Sequence, residues 1–121
     1  MHSLLVVEDN DDVREATQIA FEQVGHQVAA VGNGQEAIDW LAAHDAPCLI
    51  LLDLMMPVMD GWQFLEAVQA HASWSTIPVV VVSSAQEDGI PGHARAILRK
   101  PASLESLLSA VEHCSCRRRH A

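Results

Sequence analysis

The run Cys48-Leu49-Ile50-Leu51-Leu52 contains no charged or amide side chain, and it stops at Asp53, with Pro57 and Asp60-Gly61 close behind. A short continuous apolar run of this kind predicts a strand covered on both faces. A carboxylate that closes it, ahead of a turn containing Pro and Gly, is expected at the edge of a sheet. Two further runs have the same form. Residues 4–7 end in Glu8-Asp9, and residues 79–82 end in Ser83-Ser84. A fourth, Ala96-Ile97-Leu98, leads into Arg99-Lys100-Pro101. If these strands are parallel, their C-terminal ends meet along one edge, where open α/β folds bind their ligands. Glu8, Asp9, Asp53, Ser83 and Lys100 would then share one pocket.

Helix-spaced segments lie between the runs. A first helix is expected after Asn10 or Asp11, with a stripe of Val13, Ala16, Ala20 and Val24 and a stop at Gly25. A second strand covers about residues 26–31. Asn33-Gly34 opens a second helix carrying Ala37, Ile38 and Leu41. Pro47 precedes the strand at 48–53, and a third helix starts near Gly61 and buries Phe64, Leu65 and Val68. Pro78 precedes the strand at 79–83. A last helix, capped by Ser103, carries Leu104, Leu107, Leu108 and Val111. Strands alternating with helices predict βαβ units and a parallel sheet. Residues 84–95 contain Gly89, Pro91 and Gly92, poor helix residues, so the fourth helix is expected to be shortened or missing.

At 121 residues, half of them hydrophobic, the chain forms one domain whose core needs neither disulfides nor a structural metal. The three cysteines are an odd number, and Cys48 reads as a small core residue. Cys114 and Cys116, near His113 and His120, make too short a cluster for a metal site. The three tryptophans, Trp40, Trp62 and Trp74, read as packing residues, and the histidines outside the tail as surface groups. Residues 1–113 hold all 16 acids but only Arg14, Arg95, Arg99 and Lys100 as bases, while Arg117-Arg118-Arg119 lie in the tail. An acidic body disfavours direct nucleic-acid binding. No apolar stretch approaches the roughly 20 residues needed to cross a bilayer, and Met1-His2-Ser3 lacks the basic start of a signal peptide. The expectation is a cytoplasmic domain at 1–113 with a basic, flexible tail at 114–121 and no membrane insertion.

Three converging carboxylates need a counter-charge. Oxygen ligands suit Mg²⁺, which takes one or two carboxylates together with phosphate oxygens and water. Asp53 is then placed to act as a nucleophile toward phosphorus. Lys100 would pair with one phosphoryl oxygen and Ser83 would hydrogen-bond another, which supplies much of what phosphoryl transfer requires.

Over residues 3–113 the chain resembles the receiver domain of bacterial two-component response regulators. The resemblance rests on Glu8-Asp9, on the string from Asp53 to Gly61 (Asp-Leu-Met-Met-Pro-Val-Met-Asp-Gly), on Ser83 after an Ile-Pro-Val-Val-Val-Val strand, and on Lys100-Pro101. It implies a flavodoxin-like, doubly wound five-stranded parallel sheet in the order 2-1-3-4-5. It implies phosphorylation of Asp53 by the phosphohistidine of a sensor histidine kinase or a phosphotransfer protein. It also implies Mg²⁺, or Mn²⁺ in its place, bound through Asp9 and Asp53, with Glu8 acting through water and the backbone carbonyl of Met55 completing the site. A cis Lys100–Pro101 bond is implied as well. A downstream protein target, not identified by the sequence, would read the phosphorylated state.

Two departures bear on that read-out. The family usually has Tyr or Phe three residues before the lysine, where this chain has Ile97. The interval from Ser83 to Lys100 is also several residues shorter than usual, so the read-out surface at 84–97 is expected to be atypical. No output domain follows, so the chain reads as a stand-alone receiver or as one cut from a larger hybrid kinase or regulator. A pseudo-receiver, acting purely as an interaction module, would usually have lost the Asp or the Lys. A flavodoxin would need a phosphate loop where this chain has Glu8-Asp9-Asn10-Asp11-Asp12. A haloacid-dehalogenase-type phosphatase would need a second Asp at position 55, which is Met.

Overall fold

The computed structural model describes residues 3–53, 61–83, 96–99 and 105–110, with only the backbone described for residues 53, 61, 62, 83 and 96–99. The elements run β1 (Ser3–Val7), α1 (Asp11–Gln23), β2 (Gln27–Val31), α2 (Gly34–Ala43), β3 (Leu49–Asp53), α3 (Gly61–Ala70), β4 (Val79–Ser83) and β5 (Ala96–Arg99). The strands form one five-stranded sheet in the order β2-β1-β3-β4-β5. Every pairing is parallel. The alternating pattern predicts the parallel sheet, and the observed order is the doubly wound, flavodoxin-like one that the family resemblance implies.

The apolar runs bury both faces, as strand periodicity dictates. Leu5, Val7, Ile50, Leu52, Val79 and Val81 pack on one face against Ala37 and Leu41 of α2 and against Phe64, Leu65 and Val68 of α3. Leu4, Val6, Leu49, Leu51, Val80 and Val82 pack on the other against Phe21 of α1, with the half-buried Leu107 and Leu108 beside them. Residues 105–110 are helical, so part of the expected last helix is present. Ser103, Leu104 and Val111 lie outside the described residues, as do the 84–95 segment, the Lys100–Pro101 bond and the tail.

Local chemistry sets the helix ends. Asn10 caps α1, its Oδ1 accepting from the Val13 N–H at 3.0 Å, and Asp11 and Asp12 place negative charge in the first turn as the helix dipole favours. Asn33 caps α2 in the same way, accepting from the Glu36 N–H at 2.9 Å. Beyond α1, Gly25 has φ +100°, a conformation that costs a side-chain-bearing residue.

Three expectations are corrected. The α1 stripe of Val13, Ala16, Ala20 and Val24 is not the seated face: Val13 is 45% and Val24 56% exposed. The helix is rolled by about a quarter of a turn, so that Phe21 is fully buried and Arg14, Thr17 and Gln18 flank it. One phenyl ring removes far more apolar area from water than the stripe's alanines can. His26, expected at the surface, is buried. The turn at Gly25 folds it back so that its N–H donates to the Phe21 carbonyl at 3.1 Å and its ring meets the Phe21 ring edge-on. Cys48 is half-buried rather than a full core residue, and its N–H donates to Ser3 Oγ. Among the described residues, no helix is long and apolar enough to cross a membrane.

Candidate functional site

The sheet register brings the expected site positions to one edge. Val7 pairs with Leu52, so Glu8 follows at the level of Asp53. Asp53 pairs with Val82, which puts Ser83 one residue further along β4. Ser83 in turn pairs with Arg99, the last residue of β5 and the one before Lys100. Adjacent strands lie about 4.8 Å apart, so the backbones at the ends of β1 and β4 are roughly 10 Å apart across β3. The backbone positions of Glu8, Asp53 and Ser83 thus share the C-terminal edge. The side chains of Asp53 and Ser83, and all of Met55 and Lys100, lie outside what is described.

Glu8 and Asp9 are described in full, and they differ. Glu8 is 7% exposed and Asp9 is exposed. A buried carboxylate is tolerated only when it is hydrogen-bonded. Glu8 Oε2 accepts from the Asn10 N–H at 3.1 Å. Its own N–H donates to the Val31 carbonyl at 3.0 Å, extending the β1–β2 ladder by one residue. Its carbonyl oxygen accepts from Arg14 Nη1 at 3.0 Å. The turn from Glu8 to Asn10 is therefore held by β2, by its own carboxylate and by α1. Asp9 projects at the mouth of this turn, and Asp11 and Asp12 are exposed in the first helical turn, as expected.

The composition of the turn fits a hard cation, with carboxylate oxygens and no imidazole or thiolate. Among the described residues no group of three His, Cys, Asp or Glu side chains surrounds a common point. Of the candidate carboxylates, Glu8 and Asp9 are described in full, and Asp53 enters through its backbone position alone.

The sequence reading gave Arg14 no role, yet it is the cation nearest this turn among the described residues. Its Nη2 pairs with Asp11 Oδ1 in an i,i+3 contact. A Cβ placed on Gly32, in the turn after β2, would lie 3.3 Å from Arg14 Nη1 and 3.5 Å from Glu36 Oε1. Glu36 Oε1 itself accepts from the Gly32 N–H at 2.8 Å. The Asp11–Arg14 spacing was a visible helix pair, but nothing in the sequence marks the contact with the Glu8 carbonyl.

Known proteins resemble this chain in sequence and fold. Residues 4–112 match the family model described as "Response regulator receiver domain". The chain is 36% identical over 121 residues to Response regulator Rre1 of Synechocystis sp., covering 95% of this chain and 52% of that protein. It is 30% identical over 116 residues to Protein PilH of Pseudomonas aeruginosa, covering 92% of this chain and 95% of that one. The chain thus spans about half the length of the first relative and nearly all of the second. Among solved structures, the signal receiver domain of a signal transduction histidine kinase from Syntrophus aciditrophicus superposes with a TM-score of 0.87 at 27% identity, covering 97% of this chain and 92% of that one.

Proposed function

The chain belongs to the response regulator receiver domain family, a signalling module of two-component systems, and from that membership we propose that it accepts a phosphoryl group on Asp53. The observation that carries the reading is the parallel register that brings the acidic turn after β1, the last residue of β3 and the last residue of β4 to one edge. Glu8, Asp9, Asp53 and the carbonyl of Met55 are the groups that would hold Mg²⁺. When bound, the ion neutralises charge on the transferring phosphoryl group.

In the proposed step, a carboxylate oxygen of Asp53 forms a bond to phosphorus while the P–N bond to the donor's imidazole breaks. The electron pair of that bond leaves with the imidazole, and an acyl phosphate remains on Asp53. The Lys100 ammonium pairs with one phosphoryl oxygen and the Ser83 hydroxyl donates to another. The donor is a histidine kinase or phosphotransfer protein, and the acceptor works in the cytoplasm without contacting nucleic acid itself. The chain catalyses its own modification and turns over no separate substrate.

The added charge of about −1.5 to −2 must then bias a bistable element. With Ile97 in place of an aromatic switch, the 84–97 stretch is proposed as an atypical read-out surface for a protein target. A second reading rests on the half-length coverage of Rre1 and the kinase origin of the Syntrophus domain. In it, the same receiver is one part of a longer regulator or hybrid kinase, and the site chemistry is unchanged.

The test is incubation with Mg²⁺ and acetyl phosphate, read by intact mass. A phosphoryl adduct is expected, and it should disappear with EDTA and in Asp53→Ala. An adduct that persists in Asp53→Ala would overturn the acceptor assignment. No adduct on the unaltered chain would favour an interaction module instead.

A further inference from the structure

We propose that Arg14 is a positioning residue that sets the affinity of the Glu8–Asp9 turn for a divalent cation, an inference that rests on the Mg²⁺ reading above. The guanidinium is a planar fork whose donors can serve two acceptors at once. Here one arm, Nη1, donates to the Glu8 carbonyl at 3.0 Å, and the other, Nη2, holds Asp11 in the first turn of α1. The same Nη1 lies over Gly32, at the end of β2, where Glu36 fixes the Gly32 N–H. Arg14 therefore ties the acid-bearing turn to its own helix and lies against the neighbouring β2–α2 turn. Without it, the Glu8 carbonyl loses its side-chain tether, and Asp9 stands on a looser loop.

Two effects of the charge oppose each other. A cation beside carboxylates repels Mg²⁺, so its removal would tighten binding if electrostatics prevailed. The Arg14 charge, however, is already paired with the exposed Asp11 carboxylate, and exposed pairs are screened by solvent and salt. The Glu8 carbonyl contact is directional and sits one residue from Asp9. Groups that orient metal ligands typically change affinity by tenfold or more when lost. Geometry therefore outweighs field, and removing Arg14 weakens the site.

The experiment measures Mg²⁺ affinity by calorimetry and, separately, the Mg²⁺ dependence of phosphorylation by acetyl phosphate. Arg14→Gln should raise the Mg²⁺ dissociation constant by about tenfold, while the phosphorylation rate at saturating Mg²⁺ returns to the parent value. Arg14→Lys keeps the charge but not the fork and should recover only part of the affinity. Gly32→Ala changes no charge, yet its Cβ would crowd Nη1, so it should weaken Mg²⁺ in the same direction by a smaller factor. Thermal unfolding in EDTA checks that each variant is folded, and Gly32→Ala carries the test if Arg14→Gln is not. Tighter or unchanged Mg²⁺ binding in both Arg14→Gln and Gly32→Ala would overturn the proposal. So would a loss of saturated rate with unchanged affinity. Absence of Mg²⁺ binding by the parent chain would instead sink the metal reading itself, which separates the two failures.

Discussion

At the C-terminal end of the sheet, β1 runs out into Glu8 and Asp9, and this turn is held by Val31 of β2, by Arg14 of α1 and by its own hydrogen bond from the Asn10 N–H to the Glu8 carboxylate. At the N-terminal end, polar and aromatic groups are satisfied mostly by near neighbours in sequence. His44 Nδ1 lies 2.8 Å from the Trp40 carbonyl, and its ring stacks on Trp40 at 4.3 Å. His71 stacks on Trp74 at 3.8 Å, and its Nδ1 accepts from the Ser73 N–H. A cleft of about 490 Å³ opens at this end, walled by Ser3, Gln27, Ala29, Trp40, His44 and Asp45. The difference shows how the fold divides its work. Where α2 and α3 run out, the ring stacking is between residues three or four apart in sequence. Where the strands run out, a ladder bond from β2 and a side chain from α1 add to the turn's own hydrogen bond in fixing the acidic residues.

The comparison breaks most visibly if chemistry and stability fail to separate. Asp9→Ala should abolish Mg²⁺-dependent phosphorylation by acetyl phosphate. Asp9 is exposed, so its unfolding free energy should move by no more than about 0.5 kcal/mol. Normal phosphorylation of this variant, read by intact mass, would remove Asp9 from the site. Phe64→Ala tests the converse. Phe64 is a fully buried residue of α3 in the same core cluster as Ile50 and Leu52, and its loss should cost about 3–5 kcal/mol in urea unfolding. The fraction that remains folded should still carry the phosphoryl adduct.

These two outcomes bear on how much of the molecule its sequence disclosed. Strand positions and core were legible because parallel strands buried on both faces leave continuous apolar runs, and each run here stops at a polar residue, whereas the strand order was implied only by the family resemblance. The edge positions of Glu8, Asp53 and Ser83 followed from those same stops. The seating of α1 was not legible. Val13, Ala16, Ala20 and Val24 have perfect helical spacing, but a single Phe21 outweighs them in buried area. His26 was misplaced for a related reason, since its burial depends on a left-handed turn at Gly25 that returns it to Phe21. The contacts of Arg14 were hidden because it donates to a carbonyl six residues back and lies beside a glycine in another loop. No periodic pattern encodes such a contact.

A smaller effect sharpens the view of the C-terminal edge as a site tuned in lifetime as well as in binding. The position two residues after Asp53 is Met55, and the position two after Ser83 is Ala85. The receiver resemblance implies that both would border the path of a water attacking the proposed acyl phosphate, and neither carries a polar group to orient one. The acyl phosphate should therefore persist. Met55→Asn should speed dephosphorylation several-fold, measured as decay of the phosphorylated mass after removal of the donor. An unchanged decay would show that these positions do not set the lifetime. Hydrogen exchange with and without beryllofluoride tests the read-out in parallel, with changes expected at 84–95. Changes confined to β5 and the last helix would count against that surface.

The smallest expected effect lies at the opposite end and probes whether its stacking is purely structural. His71 is exposed and lies nearly parallel to Trp74, at an interplanar angle of 11°, while Trp74 itself is buried against the α3 side of the core. Removing the imidazole uncovers one face of the indole and deletes the acceptor for the Ser73 N–H, but it leaves Trp74 seated. An aromatic pair of this kind is worth about 0.5–1.5 kcal/mol beyond its buried area, so His71→Ala should lower the unfolding free energy by about 1 kcal/mol. Mg²⁺ affinity and phosphorylation rate should stay at parent values, because the strands that separate this turn from the acidic edge are tightly packed and stay in register. A change in Mg²⁺ affinity without a change in stability would reverse the division of labour, because it would couple the two ends of the sheet through the core.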